Sequence, residues 1–159
     1  MKNSFICYVD MEGVMNRFED DKNARLNMWR PGYFLTIPVR EGISEQLERI
    51  NAESHVVILT KIINRIGVTK EKSEWLQKNI SPNAYSDVVY VPYDKSKSDY
   101  MYSYYPSMLI DDNESNIAEC EKKGSQGLFL SDLKISQKYP NVKDMEDIWK
   151  FYQSLISKL

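Results

Sequence analysis

Cysteine, histidine and long apolar runs are scarce in this sequence, and each scarcity excludes a class of protein. The two cysteines, Cys7 and Cys120, are too few for a disulfide scaffold and indicate a reducing compartment. With His55 as the single histidine, the chain has no Cys/His cluster, which leaves oxygen atoms as the available metal ligands. No apolar run approaches the roughly 18 residues of a membrane span, and the apolar stretch near the N-terminus is too short for a signal peptide. We therefore expect a cytoplasmic protein with no membrane partner.

An excess of charge of one sign is also absent. The chain has 21 basic and 23 acidic side chains among 159 residues, for a net charge of −2. A general nucleic-acid binder usually has a basic face, so the balance argues against a nucleic-acid polymer as partner, although a local basic pocket for a small anion stays open. The length and the 42% hydrophobic content fit one globular domain over residues 1–159.

Short apolar runs alternate with segments in which apolar residues recur at helical spacing. Runs of this kind, apolar throughout, are typical of parallel strands buried on both faces. The pattern predicts strands at 5–9, 55–59, 87–91, 107–110 and 127–130, and helices at 42–51, 70–79, 114–123 and 145–159. The alternation predicts an α/β fold with a parallel sheet.

Residues 16–41 do not follow this alternation, because they lack strong periodicity. The segment begins within a few residues of the end of the first strand, and ligands of open α/β sheets bind outside such strand ends. We therefore predict that residues 16–41 form a small cap, or lid, over the site. The candidates for contacting a substrate from this lid are Phe18, Trp29 and Tyr33. Trp29, Tyr33 and Phe34 suit either stacking on a nucleobase or packing of the lid on the core, and the sequence leaves both open.

Two of the predicted strands end in acidic residues. Asp10 follows the first strand, Asp111 and Asp112 follow the fourth, and Thr60 follows the second. If the strands are parallel neighbours, these groups converge at one edge of the sheet. Carboxylates brought close together repel each other, and a cation between them relieves the repulsion. Oxygen ligands favour a hard ion, so the pattern predicts Mg²⁺.

The residues around these acids suit phosphoryl transfer. Gly13 allows a tight turn that directs backbone amides towards an anion, and Thr60 adds a hydroxyl donor. Lys95 and Lys97 precede the fourth strand, and one of them would bring a fixed positive charge; the sequence around Lys97 favours that residue. A carboxylate nucleophile, Mg²⁺, a hydroxyl and a lysine act together by positioning and charge stabilisation.

These motifs resemble those of the haloacid dehalogenase (HAD) superfamily. Residues 10–15, Asp-Met-Glu-Gly-Val-Met, are similar to its first motif, residues 57–60 to the second, Lys97 to the third and residues 108–113 to the fourth. Residues 29–38 resemble the segment leading out of the small cap of the cytosolic (type C) 5′(3′)-deoxyribonucleotidase family. The resemblance implies a three-layer, Rossmann-like sandwich with a shortened cap, and the activity of a Mg²⁺-dependent phosphatase.

The resemblance also implies roles for the acidic residues. Asp10 would be the nucleophile that forms an aspartyl-phosphate and would bind Mg²⁺. Glu12 would be the acid/base, and its backbone carbonyl would be a metal ligand. Asp111 would be the side-chain ligand of the metal, with Asp112 beside it or holding a metal-bound water.

The resemblance assigns phosphate binding to Thr60 and Lys97, with Lys95 as the alternative to Lys97. The substrate that it implies is a small phosphomonoester, and within this family a nucleoside or deoxynucleoside monophosphate.

Glu12 departs from the family pattern, in which this position is Asp. The extra methylene displaces the carboxyl by about 1–1.5 Å, which is the scale of a covalent bond. A misplacement of about 1 Å can lower a rate about 10²-fold. Two other functions therefore stay open: a phosphatase for another small phosphomonoester, and a binding or regulatory protein that keeps the fold but turns over poorly.

Overall fold

The apolar runs of the sequence form a five-stranded sheet in the computed structural model, which describes residues 1–159. The strands are β1 (Ile6–Val9), β2 (His55–Ile62), β3 (Asp87–Pro92), β4 (Ser107–Asp111) and β5 (Ser125–Phe129). Their order across the sheet is β3-β2-β1-β4-β5, and every neighbouring pair is parallel. Every residue of β1 and β4 is buried, and each fully buried Val, Leu or Ile contributes about 1.5–3 kcal/mol to stability.

Five helices accompany the sheet. They are α1 (Lys22–Asn27), α2 (Ile43–Glu53), α3 (Val68–Asn79), α4 (Glu114–Glu121) and α5 (Glu146–Ile156). Buried residues of α2, α3 and α5 share one core cluster with one face of the sheet, whereas Ile117 and Cys120 of α4 belong to the cluster on the other face. The predicted three-layer α/β fold with a parallel sheet is confirmed. Cys7 and Cys120 are buried free thiols.

The second strand is longer than the sequence predicts. The predicted strand ended at Leu59, but β2 continues to Ile62 because Thr60, Lys61 and Ile62 pair with the last residues of β3. Lys61 therefore lies near the carboxyl end of β2, at the same end of the sheet as the acidic residues that end β1 and β4.

The beginning and the end of the insertion at residues 16–41 pair with each other. Asn16 and Val39 form an antiparallel bridge, and the backbone amide of Arg17 donates to the carbonyl of Pro38 at 2.9 Å. Within it lies α1, a helix of six residues that the sequence analysis did not predict because only Ala24 of it is buried. The indole N–H of Trp75 on α3 donates to the carbonyl of Ile37 at 2.7 Å, which ties the insertion to the domain below.

No helix of the chain is both long enough and apolar enough to cross a membrane.

Candidate active site

A tight turn after β1 presents Asp10 at the carboxyl end of the sheet. The turn spans Met11–Met15, and Gly13 adopts a φ of 82°, a conformation that residues with a Cβ rarely take. A Cβ at Gly13 would also collide with the carboxylate of Asp112. The side chain of Asn16 accepts a hydrogen bond from the Gly13 amide at 3.1 Å. Glycine is therefore required here both by the backbone and by the space that Asp112 occupies.

Arg40 stabilises this turn through hydrogen bonds to its backbone carbonyls. Its guanidinium, 5% exposed, donates to the carbonyl of Val14 at 2.7 Å and to that of Gly13 at 2.9 Å. The same group forms a two-pronged ion pair with Asp132, with both N···O distances 2.9 Å. Arg40 was not among the residues that the sequence predicted for the site. It fixes the turn that carries Asp10 by satisfying backbone carbonyls that would otherwise be buried without partners.

Lys97 lies between the acidic ends of β1 and β4. Its ammonium donates to Asp10 Oδ1 at 2.8 Å and to Asp111 Oδ2 at 2.7 Å, and its side chain is 1% exposed. Burial by itself lowers the pKa of Lys97, but Asp10 and Asp111 raise it by more, so the group stays charged. Lys95, the alternative in the sequence, is exposed and does not line the pocket above Asp10.

Asp10, Asp111 and Asp112 form one acidic cluster, in which carboxylate oxygens of all three lie within 4.8 Å of one another. Burial and then the charge of Asp111 raise the pKa of Asp10 to about 7. Burial and then the charges of Asp10 and Asp111 raise the pKa of Asp112 to about 9. Burial is the larger cause of both raised pKa values, and the single charge of Lys97 does not offset the repulsion among the three carboxylates. The oxygen donors and their unbalanced charge therefore fit a bound Mg²⁺.

The two neighbouring acids of β4 differ in what surrounds them. Asp111 is fully buried, and its oxygens accept hydrogen bonds from Lys97, from the Asn113 amide at 2.9 Å and from the Asn116 side chain. Asp112 lines the pocket and Asp111 does not. The carboxylate of Asp112 is therefore the one that a ligand in the pocket can reach directly, whereas the carboxylate of Asp111 accepts a hydrogen bond from Lys97.

Two residues contact the carboxylate of Glu12. Its carboxylate accepts a hydrogen bond from the Thr60 hydroxyl at 3.0 Å and forms an ion pair with Lys72 at 2.9 Å. Lys72 also donates to the Thr60 hydroxyl at 2.9 Å. Thr60 is fully buried, and its hydroxyl proton is donated to Glu12. Lys72 was not singled out from the sequence, although it lies three and four residues before the inward-facing Trp75 and Leu76, a spacing that places it on the same helix face.

A pocket of about 640 Å³ opens above these residues, at the carboxyl ends of the strands. It brings together Asp10, Glu12, Lys61, Lys97 and Asp112 from the domain, and Phe18, Asp20, Arg25, Met28 and Trp29 from the insertion. The insertion thus lies over the acidic cluster. Tyr33 lines a different pocket, formed by residues of the insertion itself, so of these three aromatic candidates only Phe18 and Trp29 line the pocket above the acidic cluster.

Comparisons with known proteins identify the fold. A haloacid dehalogenase-like hydrolase from Streptococcus pneumoniae is similar over 94% of this chain and 99% of its own, with a TM-score of 0.65 and 11% identity. A protein described as a HAD-hydrolase from Bacillus subtilis, solved with magnesium, matches over 94% and 99% with a TM-score of 0.67 and 10% identity. A HAD-like hydrolase from Xanthomonas campestris matches over 99% and 98%, with a TM-score of 0.67 and 11% identity. No family model and no curated protein matches the sequence. The chain therefore has the fold of HAD-like hydrolases.

The raised pKa values predict a pH-dependent stability in the absence of metal. Because the pKa values of Asp10 and Asp112 lie above the ordinary value of 3.8, the native state binds more protons than the unfolded chain between about pH 4 and 9. The free energy of unfolding should therefore fall as the pH rises through this range. Thermal unfolding of the metal-free protein checks this: the melting temperature should be lower at pH 8 than at pH 6, and added Mg²⁺ should raise it more at pH 8.

Asp112→Asn is the diagnostic variant for that experiment. It removes the carboxyl with the largest rise in pKa, so it should flatten the pH dependence and weaken the response to Mg²⁺. Asp99→Asn is the matched control, because Asp99 is exposed and close in sequence to Lys97. A Mg²⁺ response of equal size in Asp112→Asn and in the parent would exclude Asp112 as a metal ligand.

Proposed function

We propose that this protein is a Mg²⁺-dependent phosphomonoester hydrolase that acts through an aspartyl-phosphate at Asp10. The observation that carries the proposal is the buried Lys97, which holds Asp10 and Asp111 together at the carboxyl end of the sheet, directly below an open pocket. A carboxylate fixed at a strand end, with its charge balanced in part by a lysine, suits nucleophilic attack on phosphorus.

The reaction proceeds in two displacements. An oxygen of Asp10 attacks the phosphorus atom, a P–O bond forms, and the bond from phosphorus to the leaving oxygen breaks. Glu12 enters the first displacement protonated and gives that proton to the leaving oxygen. The resulting carboxylate then takes a proton from the water that attacks the phosphorus of the aspartyl-phosphate, which restores the protonated form. The second attack releases inorganic phosphate and restores the Asp10 carboxylate.

The groups that would ligate the metal are the side chains of Asp10 and Asp112 and the backbone carbonyl of Glu12. Mg²⁺, when bound, supplies positive charge that stabilises the phosphoryl group against these carboxylates. Asp111, which the sequence predicts as the side-chain ligand, belongs to the same acidic cluster, and its oxygens also accept hydrogen bonds from Lys97, Asn113 and Asn116. We therefore propose that Asp111 holds Lys97 in addition to its predicted place beside the metal.

Phosphate binding is shared between Lys97 and Lys61. The sequence assigned this task to Thr60 with Lys97, but the Thr60 hydroxyl is fully buried and donates to Glu12. The next residue, Lys61, lines the pocket and has no ion-pair partner in the protein. Its ammonium is therefore free to neutralise a phosphate oxygen as a point charge.

The substrate we propose is a nucleoside or deoxynucleoside monophosphate. The pocket volume of about 640 Å³ falls within the range of small-molecule sites, roughly 300–1,000 Å³. Phe18 and Trp29 line the pocket from the insertion, and Trp29 is 53% exposed, so its indole has surface available for contact with a nucleobase. Stacking on an aromatic side chain contributes about 1–3 kcal/mol per base.

A substrate panel tests this function. With Mg²⁺ present, the protein should hydrolyse nucleoside monophosphates with a higher kcat/KM than sugar phosphates of similar charge. Trp29→Ala should lower kcat/KM for nucleotides about 5- to 100-fold, the loss of one stacked base, and leave that for a small aryl phosphate within about twofold. Tyr33→Ala is the matched control from the same lid, because Tyr33 lines another pocket. A preference for sugar phosphates that Trp29→Ala leaves unchanged would identify another small phosphomonoester as the substrate.

A further inference from the structure

We propose that Lys72 of α3 is a positioning residue of this site, which holds the Glu12 carboxylate where it can transfer a proton. The inference rests on the proposed function, since it concerns the proton transfer of the same reaction. Lys72 does not line the pocket and does not touch the substrate space, so it acts only through Glu12 and its neighbours.

The Lys72 ammonium forms an ion pair with Glu12 Oε1 at 2.9 Å, and it donates hydrogen bonds to Thr60 Oγ1 at 2.9 Å and to the backbone carbonyl of Lys61 at 2.7 Å. Thr60 in turn donates to the second carboxylate oxygen of Glu12 at 3.0 Å. Lys72 therefore contacts Glu12 directly and again through Thr60, and it binds the strand segment that carries both Thr60 and Lys61.

The burial of Lys72 argues against a role as a solvated surface charge. Its side chain is 1% exposed, and that of Glu12 is 15% exposed. A buried ammonium is costly unless it is paired and hydrogen-bonded, and Lys72 has one ion-pair partner and two hydrogen-bond acceptors. The ring of Phe34, which belongs to the insertion, lies with its centroid 4.9 Å from the Lys72 ammonium and adds a cation–π contact.

The length of Glu12 explains why such a residue is needed. A glutamate has one more rotatable bond than an aspartate at the same position, so its carboxyl can take more positions relative to a leaving group. Proton transfer requires the two heavy atoms within hydrogen-bond reach, and a free side chain would spend little time there. The hydrogen bond from Thr60 to one carboxylate oxygen and the ion pair of Lys72 with the other reduce that freedom to one region, beside the end of β2.

Lys72→Met tests the proposal, because it keeps the length of the side chain and removes its three donors. We expect kcat for an alkyl phosphate, whose leaving oxygen needs a proton, to fall by about 10²-fold, the cost of a misplacement of about 1 Å. For p-nitrophenyl phosphate, whose leaving group departs without one, the fall should be much smaller. Lys72→Arg should recover part of the alkyl-phosphate activity. Lys70→Met is the matched control, since Lys70 lies on the same helix with its side chain 82% exposed.

The double variant Glu12→Gln/Lys72→Met separates positioning from a general loss of structure. If Lys72 acts through Glu12, the double variant should be no slower on the alkyl phosphate than Glu12→Gln alone, a non-additive result. It should also melt at a higher temperature than Lys72→Met, which leaves the Glu12 carboxylate buried without its partner. Additive losses, or equal losses on both esters, would overturn the proposal.

Failure of the proposed function and failure of the proposed role of Lys72 give different experimental results. If the parent hydrolyses neither ester, the proposed function is wrong. Crystal structures of the parent and of Lys72→Met then test, without any measurement of turnover, whether Lys72 positions the Glu12 carboxylate. In the parent it should lie against Thr60 and Lys72, and in the variant it should leave Thr60. An unchanged Glu12 in Lys72→Met would show that Lys72 does not position it.

Discussion

Replacement of Asp10 by asparagine is expected to abolish turnover while leaving the fold intact. Asparagine has nearly the shape of aspartate but lacks the oxygen nucleophile, so no aspartyl-phosphate can form. Loss of a nucleophile costs about 10⁶-fold in other enzymes, and we expect a fall of at least about 10⁴-fold in kcat. Steady-state hydrolysis of p-nitrophenyl phosphate with Mg²⁺ measures it, because this substrate needs no help with its leaving group.

The environment of Asp10 explains why the variant should still fold. Lys97 keeps its ion pair with Asp111 at 2.7 Å, and removal of one of three clustered carboxylates relieves repulsion. The melting temperature of metal-free Asp10→Asn should therefore equal or exceed that of the parent at pH 8. Retention of more than about a tenth of the parent activity would exceed what the loss of a nucleophile allows, and would assign the attack on phosphorus to another group.

Glu12→Gln is expected to have the second largest effect. The amide keeps the size of the side chain but cannot exchange a proton, so the loss should fall in the range of about 10²–10⁴-fold for a general acid–base. The loss should be larger for an alkyl phosphate than for p-nitrophenyl phosphate. Turnover of the alkyl ester at the parent rate would show that Glu12 transfers no proton, and the two-displacement mechanism would lose its acid.

Glu12→Asp distinguishes an adapted site from an impaired one. The carboxylate of Glu12 reaches both Thr60 and Lys72, and aspartate is shorter by about 1–1.5 Å, so it would lose at least one of these contacts. We expect turnover to fall by about 10²-fold, because the site is built around the longer side chain. A rise in turnover would favour the alternative of a binding or regulatory protein in which glutamate keeps catalysis slow.

The sheet could be predicted from the sequence because its central strands are buried on both faces. A strand such as β1 or β4 contains no outward-facing polar residue, so it appears as a short run of apolar residues that ends abruptly in Asp. The convergence of Asp10 and Asp111 follows once their strands are parallel neighbours, as β1 and β4 are. The outer side of the insertion gives no such signal: α1 buries only Ala24 and has no apolar periodicity.

The cations that position the site could not be predicted in the same way. Lys72 and Arg40 belong to residue types that are mostly exposed, so a local pattern favours a solvated role for both. Their partners lie far away in sequence: Lys72 pairs with Glu12, and Arg40 binds the carbonyls of Gly13 and Val14. Such partners become apparent only when the turn after β1 and the end of β2 are seen side by side.

Trapping of the covalent intermediate tests the central claim most directly. The parent protein, quenched during turnover of a phosphomonoester with Mg²⁺ and treated with borohydride, should have its aspartyl-phosphate reduced to the alcohol. Tryptic cleavage yields a peptide of residues 3–17, which contains Asp10 and Glu12 and whose fragment masses locate the reduced residue. Reduction at Asp10, dependent on substrate and absent from Asp10→Asn, is the predicted result. Steady turnover with no reduction at Asp10, or reduction at a different carboxylate, would contradict it.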